Sequence, residues 1–200
     1  MRILAAFLAS LALTSPALAG GIGFIGTAGF HNEPVFYYDR SNNLAQYQMN
    51  QLIPNYGAGL ELVLGDRDDR ILGTLRGYWT QDGPQTAPAA SGQLSELVAP
   101  ADVVAAHRSQ AKNIGMASVG IQWGFYGNPD TFQLNAVAGV GSGFLTTDHT
   151  EFLFVEGGLG AHYQVARSAQ IFGNALYSMR WRKGAQHGPI VYAGIRYLFD

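Results

Sequence analysis

From Gly21 onward, apolar and polar residues alternate with a period of two. That is the spacing of strands whose two faces meet different surroundings. The last run shows it most plainly. In Ile190–Asp200, Val191, Ala193, Ile195, Tyr197 and Phe199 share one face, while Tyr192, Gly194, Arg196 and Leu198 share the other. Seven earlier runs repeat the theme. Gly21–Phe30 aligns Ile22, Phe24, Gly26, Ala28 and Phe30, and Tyr56–Leu64 sets Tyr56, Ala58, Leu60, Leu62 and Leu64 against Glu61. Ile71–Trp79 sets Ile71, Leu75 and Trp79 against Thr74, Arg76 and Tyr78. Ile114–Tyr126 sets Val119, Ile121, Trp123 and Phe125 against Ser118, Gly120, Gln122 and Gly124. Thr131–Phe144 sets Phe132, Leu134, Ala136 and Ala138 against Gln133, Asn135, Val137 and Gly139. Glu151–Val165 sets Leu153, Val155, Leu159, Ala161 and Tyr163 against Glu156, Gly158, Gly160, His162 and Gln164. Gln170–Trp181 sets Ile171, Ala175, Tyr177, Met179 and Trp181 against Asn174, Ser178 and Arg180.

The pattern predicts eight strands of about 9 to 15 residues, near the length that crosses a bilayer with tilt. Their connections have a rhythm. Gly65–Arg70, Gly127–Asp130 and Ala166–Ala169 read as short turns, whereas 31–55 and 80–113 are long and those after the fifth and seventh strands are intermediate. Aromatics gather near strand ends: Phe30, Tyr56, Trp79, Trp123, Phe125, Tyr126, Phe132, Tyr163, Trp181, Tyr197 and Phe199. Short turns at one end, longer loops at the other and two aromatic girdles are the signature of an all-β, eight-stranded, antiparallel up-and-down transmembrane barrel. The rival is a soluble barrel or sandwich with its apolar faces inside. Size argues against it, because the polar face is also the glycine-rich, small one, which suits the crowded inside of a narrow barrel. A bulge at a glycine pair such as Gly157-Gly158 would flip the faces beyond it.

Residues 1–19 read as a secretory signal peptide. Arg2 precedes an apolar run that is too short to span a bilayer, and Ala17-Leu18-Ala19 forms an A-x-A cleavage site before Gly20. The expected division is therefore a leader over 1–19 and one barrel domain over 20–200. Removing the leader takes Arg2 and leaves eleven basic residues against fourteen acidic ones, a net charge of −3. That excludes the basic patch of a nucleic-acid protein. The chain has no Cys, which excludes disulfides and thiolate metal sites. Its five His are too scattered to suggest a metal centre, and no cofactor motif is present.

The closing strand carries a resemblance. Gly194, Tyr197 and Phe199 are similar to the C-terminal pattern by which the barrel-assembly machinery recognises its clients, with Asp200 added beyond the usual terminal aromatic. Together with the strand count, the mature chain resembles the small outer-membrane barrels of the OmpA/OmpX type and the opacity-protein-like families. The resemblance implies a location in the outer membrane, contact with its lipid and lipopolysaccharide, and a non-enzymatic envelope role in adhesion, protection or structure.

Three places could carry chemistry. The inward faces hold a candidate lumen charge network: Glu61, Arg76, Glu156, His162, Arg180 and Arg196. Charges taken out of water need partners. The expectation is a plugged lumen in which Glu61 pairs with Arg76 and Glu156 with Arg180 across adjacent strands; the alternative is a narrow solute channel ringed by the same charges. The second place is catalytic, as in lipid A deacylase or acyltransferase barrels. His149 beside Thr150 and Glu151, or His162 near Ser178, would serve, but the His-x-Ser spacing of the deacylases is absent. The third is the loops. Residues 31–55 include Val35-Phe36-Tyr37-Tyr38, either an extension of the first hairpin or a contact surface for an extracellular ligand; 80–113 carries helix-like spacing over Leu94–Ala111, broken at Pro100.

Overall fold

A computed structural model describes residues 20–39, 45–66, 69–83, 97–98, 113–145, 151–181 and 185–199, with backbone alone at 33–39, 45–51 and 97–98. The leader, His149, Asp200 and most of 80–113 lie outside the described residues. The strands are β1 (Gly20–Asp39), β2 (Ala45–Leu64), β3 (Ile71–Asp82), β4 (Leu97–Val98), β5 (Asn113–Asn128), β6 (Phe132–Leu145), β7 (Glu151–Ala166), β8 (Ala169–Trp181) and β9 (Ala185–Leu198). Eight of them form one antiparallel sheet in the order β2-β3-β5-β6-β7-β8-β9-β1, and β1 also pairs with β2, so the sheet closes on itself. β4 is a two-residue strand attached to β1 at Tyr38 and Asp39. Closure removes every sheet edge, which is what allows a β-structure to sit in hydrocarbon.

Alternation sets the two walls. Phe24, Leu52, Ile71, Leu153, Leu159 and Ile195 are among the large apolar residues left exposed on the outside, while Glu61, Arg76, Glu156, Arg180 and Arg196 are buried inside. Two outward girdles frame the apolar band. Trp123, Phe125, Tyr126, Phe132, Tyr163 and Tyr197 mark the end with the short turns, and Phe30, Tyr56, Trp79 and Trp181 mark the end with the loops. The short turns are built locally. Gly65 and Gly127 adopt φ of 118° and 92°, a region costly for any residue with a Cβ. Asn128 accepts from the Asp130 amide through its side chain at 2.8 Å, which tightens the β5–β6 turn. The termini close the same end, with the Phe199 amide donating to the Gly20 carbonyl at 2.7 Å.

The structure departs from the sequence expectations in two respects, the extent of the first hairpin and the size of the inner residues. Residues 31–55 are not mainly a loop, because β1 and β2 run on as a hairpin to Asp39 and Ala45. Pro34 and Pro54 hide this in the sequence, since each lacks the N–H a ladder uses. The register holds straight through Gly157 and Gly158, opposite Ala138 and Val137. The barrel-wall bulges fall instead between Gly124 and Tyr126 and between Gln164 and Ala166, next to the turns. The inner face is not uniformly small either. Tyr78, Met116, Phe152, Phe154, Phe172, Leu176, Ile190 and Tyr192 form an apolar cluster inside the barrel. Inward glycines beside them provide the volume: a Cβ on Gly141 or Gly143 would run into the ring of Phe154 or Phe152.

Ala136 and Leu159 face each other on the outer wall of β6 and β7. Leu159→Arg or Ala136→Arg is expected to destabilise the barrel by about 2–4 kcal/mol in a bilayer. Gln133→Asn, on the inner wall, is expected to cost less. Urea titration of protein folded into lipid vesicles measures both.

Candidate functional site

The densest chemistry lies in the lumen, and register explains how it assembles. Glu61 of β2 is directly opposite Arg76 of β3 and, on its other side, Gly23 of β1. Gly23 is in turn opposite Arg196 of β9. With no side chain between them, Arg196 reaches over β1 to Glu61; a Cβ on Gly23 would stand 2.9 Å from Arg196 Cγ. Glu61 thus accepts from Arg76 Nε through Oε2 and from Arg196 Nε through Oε1, both at 2.7 Å. Arg76 also spans the lumen to β7, donating from Nη1 to Glu156 Oε1 at 2.8 Å. Gly120 and Gly139 occupy the row between Thr74 of β3 and Glu156 and leave that path open.

Aromatic residues and amides complete the assembly. The Tyr192 hydroxyl donates to Glu156 Oε2 at 2.6 Å and lies 2.8 Å from the Tyr78 hydroxyl. The two rings meet edge to face at 5.5 Å. Arg76 stacks over Tyr192 at 5.0 Å and Arg196 over Phe172 at 3.9 Å, contacts that suit a weakly hydrated guanidinium. Arg196 Nη1 donates to Gln170 at 3.0 Å. Every oxygen of both glutamates is engaged. Glu61 is fully buried and no member of the group exceeds 6 % exposure.

Two expected pairs do not form. Glu156 does not meet Arg180: the register sets Glu156 opposite Ser178 and Arg180 opposite Phe154, and Arg76 and Tyr192 take both carboxylate oxygens. His162 does not meet Ser178. It lies opposite Phe172 toward the turn end, where its Nδ1 is 3.2 Å from the Asn135 amide nitrogen. That geometry supplies no nucleophile, so of the catalytic readings His162 with Ser178 is removed, and His149 is outside the described residues.

Sequence reasoning missed a third group. At the loop end, His31 Nε2 lies 3.6 Å from Asp82 Oδ2, and His31 Nδ1 lies 3.3 Å from the Asn55 amide nitrogen, all three residues buried. Their signal was present in the alternation, because each continues the inward parity of its strand past the predicted end. On the outer wall, the Tyr177 hydroxyl is hydrogen-bonded to His187 Nδ1 beside the loop-end girdle. Gly194, Tyr197 and Phe199 lie at the end of β9, with Tyr197 and Phe199 in edge contact at 6.1 Å on the outside. Among the described residues no group of three or more His, Asp or Glu is placed to hold a metal.

Glu61 bridges two guanidiniums, so Glu61→Gln is expected to cost about 3–5 kcal/mol of unfolding free energy, less where water enters. Gly23→Val is expected to break the Arg196 arm alone and to cost less than Glu61→Gln. Denaturant titrations of the two variants against wild type measure the difference.

No protein-family model matches the chain, and no curated protein sequence does. Among solved structures, it is similar to the attachment invasion locus protein Ail of Yersinia pestis, at 13 % identity over 90 % of this chain and 99 % of that one, with a TM-score of 0.45. It is similar to Neisserial surface protein A, at 12 % identity over 89 % and 97 %, with a TM-score of 0.44. It is likewise similar to the outer membrane protein OprG of Pseudomonas aeruginosa, at 13 % identity over 90 % and 96 %, with a TM-score of 0.45.

Proposed function

We propose that the protein is a non-enzymatic β-barrel of the outer membrane, exported through a leader over residues 1–19, with an envelope role exercised at its loop end and a lumen closed by side chains. The observation that carries this reading is the pairing of an apolar, aromatic-girdled outer wall with the buried Arg196–Glu61–Arg76–Glu156–Tyr192 chain across the interior. An outer wall of that kind suits lipid and lipopolysaccharide acyl chains. An inner chain of that kind leaves no continuous aqueous path through eight strands.

The assembly machinery is the expected partner during folding, through Gly194, Tyr197 and Phe199 on the closing strand. In the mature state the partner surface is the loop end, where the β1–β2 hairpin extends beyond the Phe30 and Trp79 girdle toward Asp39 and Ala45. That projection favours an extracellular contact through 31–55, and residues 80–113 emerge at the same end.

The protein is expected in the outer-membrane fraction, resistant to urea extraction and faster on a gel when unheated than when boiled. In planar bilayers the wild-type protein is expected to conduct little. Steady conductance whose ion selectivity changes with Glu61→Gln overturns the closed lumen. Mass spectrometry of lipid A from cells with and without the protein checks the absence of catalysis. A change in acyl-chain count that is lost in His149→Ala or His162→Ala overturns it.

A further inference from the structure

Among the described residues, Arg180 is the one buried arginine that the network does not absorb. It is 3 % exposed, yet among the described residues it forms no ion pair or hydrogen bond, and its Nε is a buried donor without a partner. The four carboxylate oxygens of Glu61 and Glu156 are committed to Arg76, Arg196 and Tyr192. Asp82 is beside His31 on β3, four strands from β8 in either direction around the barrel. The inward residues on either side of Arg180 in the ladder are Phe154 of β7 and Gln186 of β9. Phe152, Phe154 and Ile190 belong to the apolar cluster of the same half. The central network is itself short of acceptors: Arg76 Nη2 and Arg196 Nη2 are also buried donors without partners. Of the three buried carboxylates among the described residues, Glu61 and Glu156 thus serve Arg76 and Arg196 and Asp82 sits with His31, which leaves none paired with Arg180.

An unpaired ion among apolar side chains is costly, and a counter-ion lowers that cost most directly. Size limits the counter-ion, because an eight-stranded interior is just wide enough for side chains. Access comes from the loop end, since Arg180 is the penultimate residue of β8. We propose that Arg180 forms an anion site in the outer half of the lumen that takes a small monovalent inorganic anion of halide size. The guanidinium supplies the charge and the Nε donor, and Gln186 is placed to offer its amide. The site rests on the closed-lumen reading. It gives the barrel a stability that follows the halide content of the medium, because an ion that binds only the folded state stabilises it by an amount that grows with the logarithm of its concentration once the site fills.

The test uses protein purified from the outer-membrane fraction in a zwitterionic detergent. Thermal unfolding is followed by circular dichroism in sodium chloride, sodium bromide and sodium gluconate at one ionic strength. The wild-type midpoint is expected to rise by several degrees as chloride or bromide replaces gluconate, with the logarithm of halide concentration once the site fills, and to stay flat in gluconate alone. Arg180→Gln and Arg180→Met are expected to give flat midpoints in all three salts and, in gluconate, to unfold above the wild type, because the uncompensated charge is gone. Crystals grown in bromide are expected to show an anomalous peak in hydrogen-bond contact with the Arg180 guanidinium. A wild type insensitive to halide means that water alone solvates Arg180 and overturns the site. So does a halide shift that both variants retain, or variants that unfold below the wild type in every salt. Loss of the unheated gel shift in the wild type would instead overturn the barrel reading, so the two failures are distinguishable.

Discussion

The interior depends on one carboxylate held between two guanidiniums. Glu61 joins β3 to β9 through Arg76 and Arg196, and it does so across the β1–β9 junction at which the sheet closes. In water such a pair is worth little, whereas inside a barrel its members are costly unless every oxygen is matched. The match here is nearly complete on the acidic side. It works because neighbouring positions are glycine: Gly23 lets Arg196 cross one strand, and Gly120 and Gly139 let Arg76 cross two. The chain's glycine content is thus partly a consequence of the charges. Long side chains that bridge non-adjacent strands need positions with no side chain in the way.

The outer wall follows a different logic. It asks only that each strand keep its parity and that aromatic residues mark the two interfaces, and many sequences satisfy that. The inner wall asks for particular partners at particular registers. A one-residue slip of β3 against β2 would turn Arg76 outward and leave Glu61 without its partner. The same network that crosses the lumen therefore fixes the register of the strands on either side of the β1–β9 junction.

The difference explains what was legible in the sequence. Faces were legible throughout, since period-two alternation survives without knowledge of neighbours: Phe24 and Leu159 lie outside, Arg76 and Arg180 inside. The Glu61–Arg76 contact was legible too, because a short turn pins β2 against β3. Contacts across the lumen were not. Nothing in a linear pattern says that Arg76 should reach across the lumen and take Glu156, the partner expected of Arg180, because that choice depends on shear and on which intervening positions are glycine. Strand ends were the other blind spot. Pro34 and Pro54 are loop signals in isolation, yet β1 and β2 tolerate them because the hairpin is long and paired on either side of each. Reading the ends too early hid His31, Asn55 and Asp82, which form the buried polar group at the loop end.

That end is where the barrel can meet anything other than lipid. Below it, the lumen is occupied by paired charges and aromatic rings, and the outer wall is mainly apolar and aromatic. Toward the mouth the described charged residues lie on opposite sides. The His31–Asp82 pair sits on the β1–β3 side and Arg180 on the opposite β8 side, with the apolar side chains of Phe152, Phe154 and Leu145 between them on β6 and β7. Among the described residues the two halves of the barrel hold different side chains. The turn-end half, with the Arg196–Gln170 and His162–Asn135 contacts, holds the closure together. The loop-end half carries the buried His31, Asn55 and Asp82 group and Arg180.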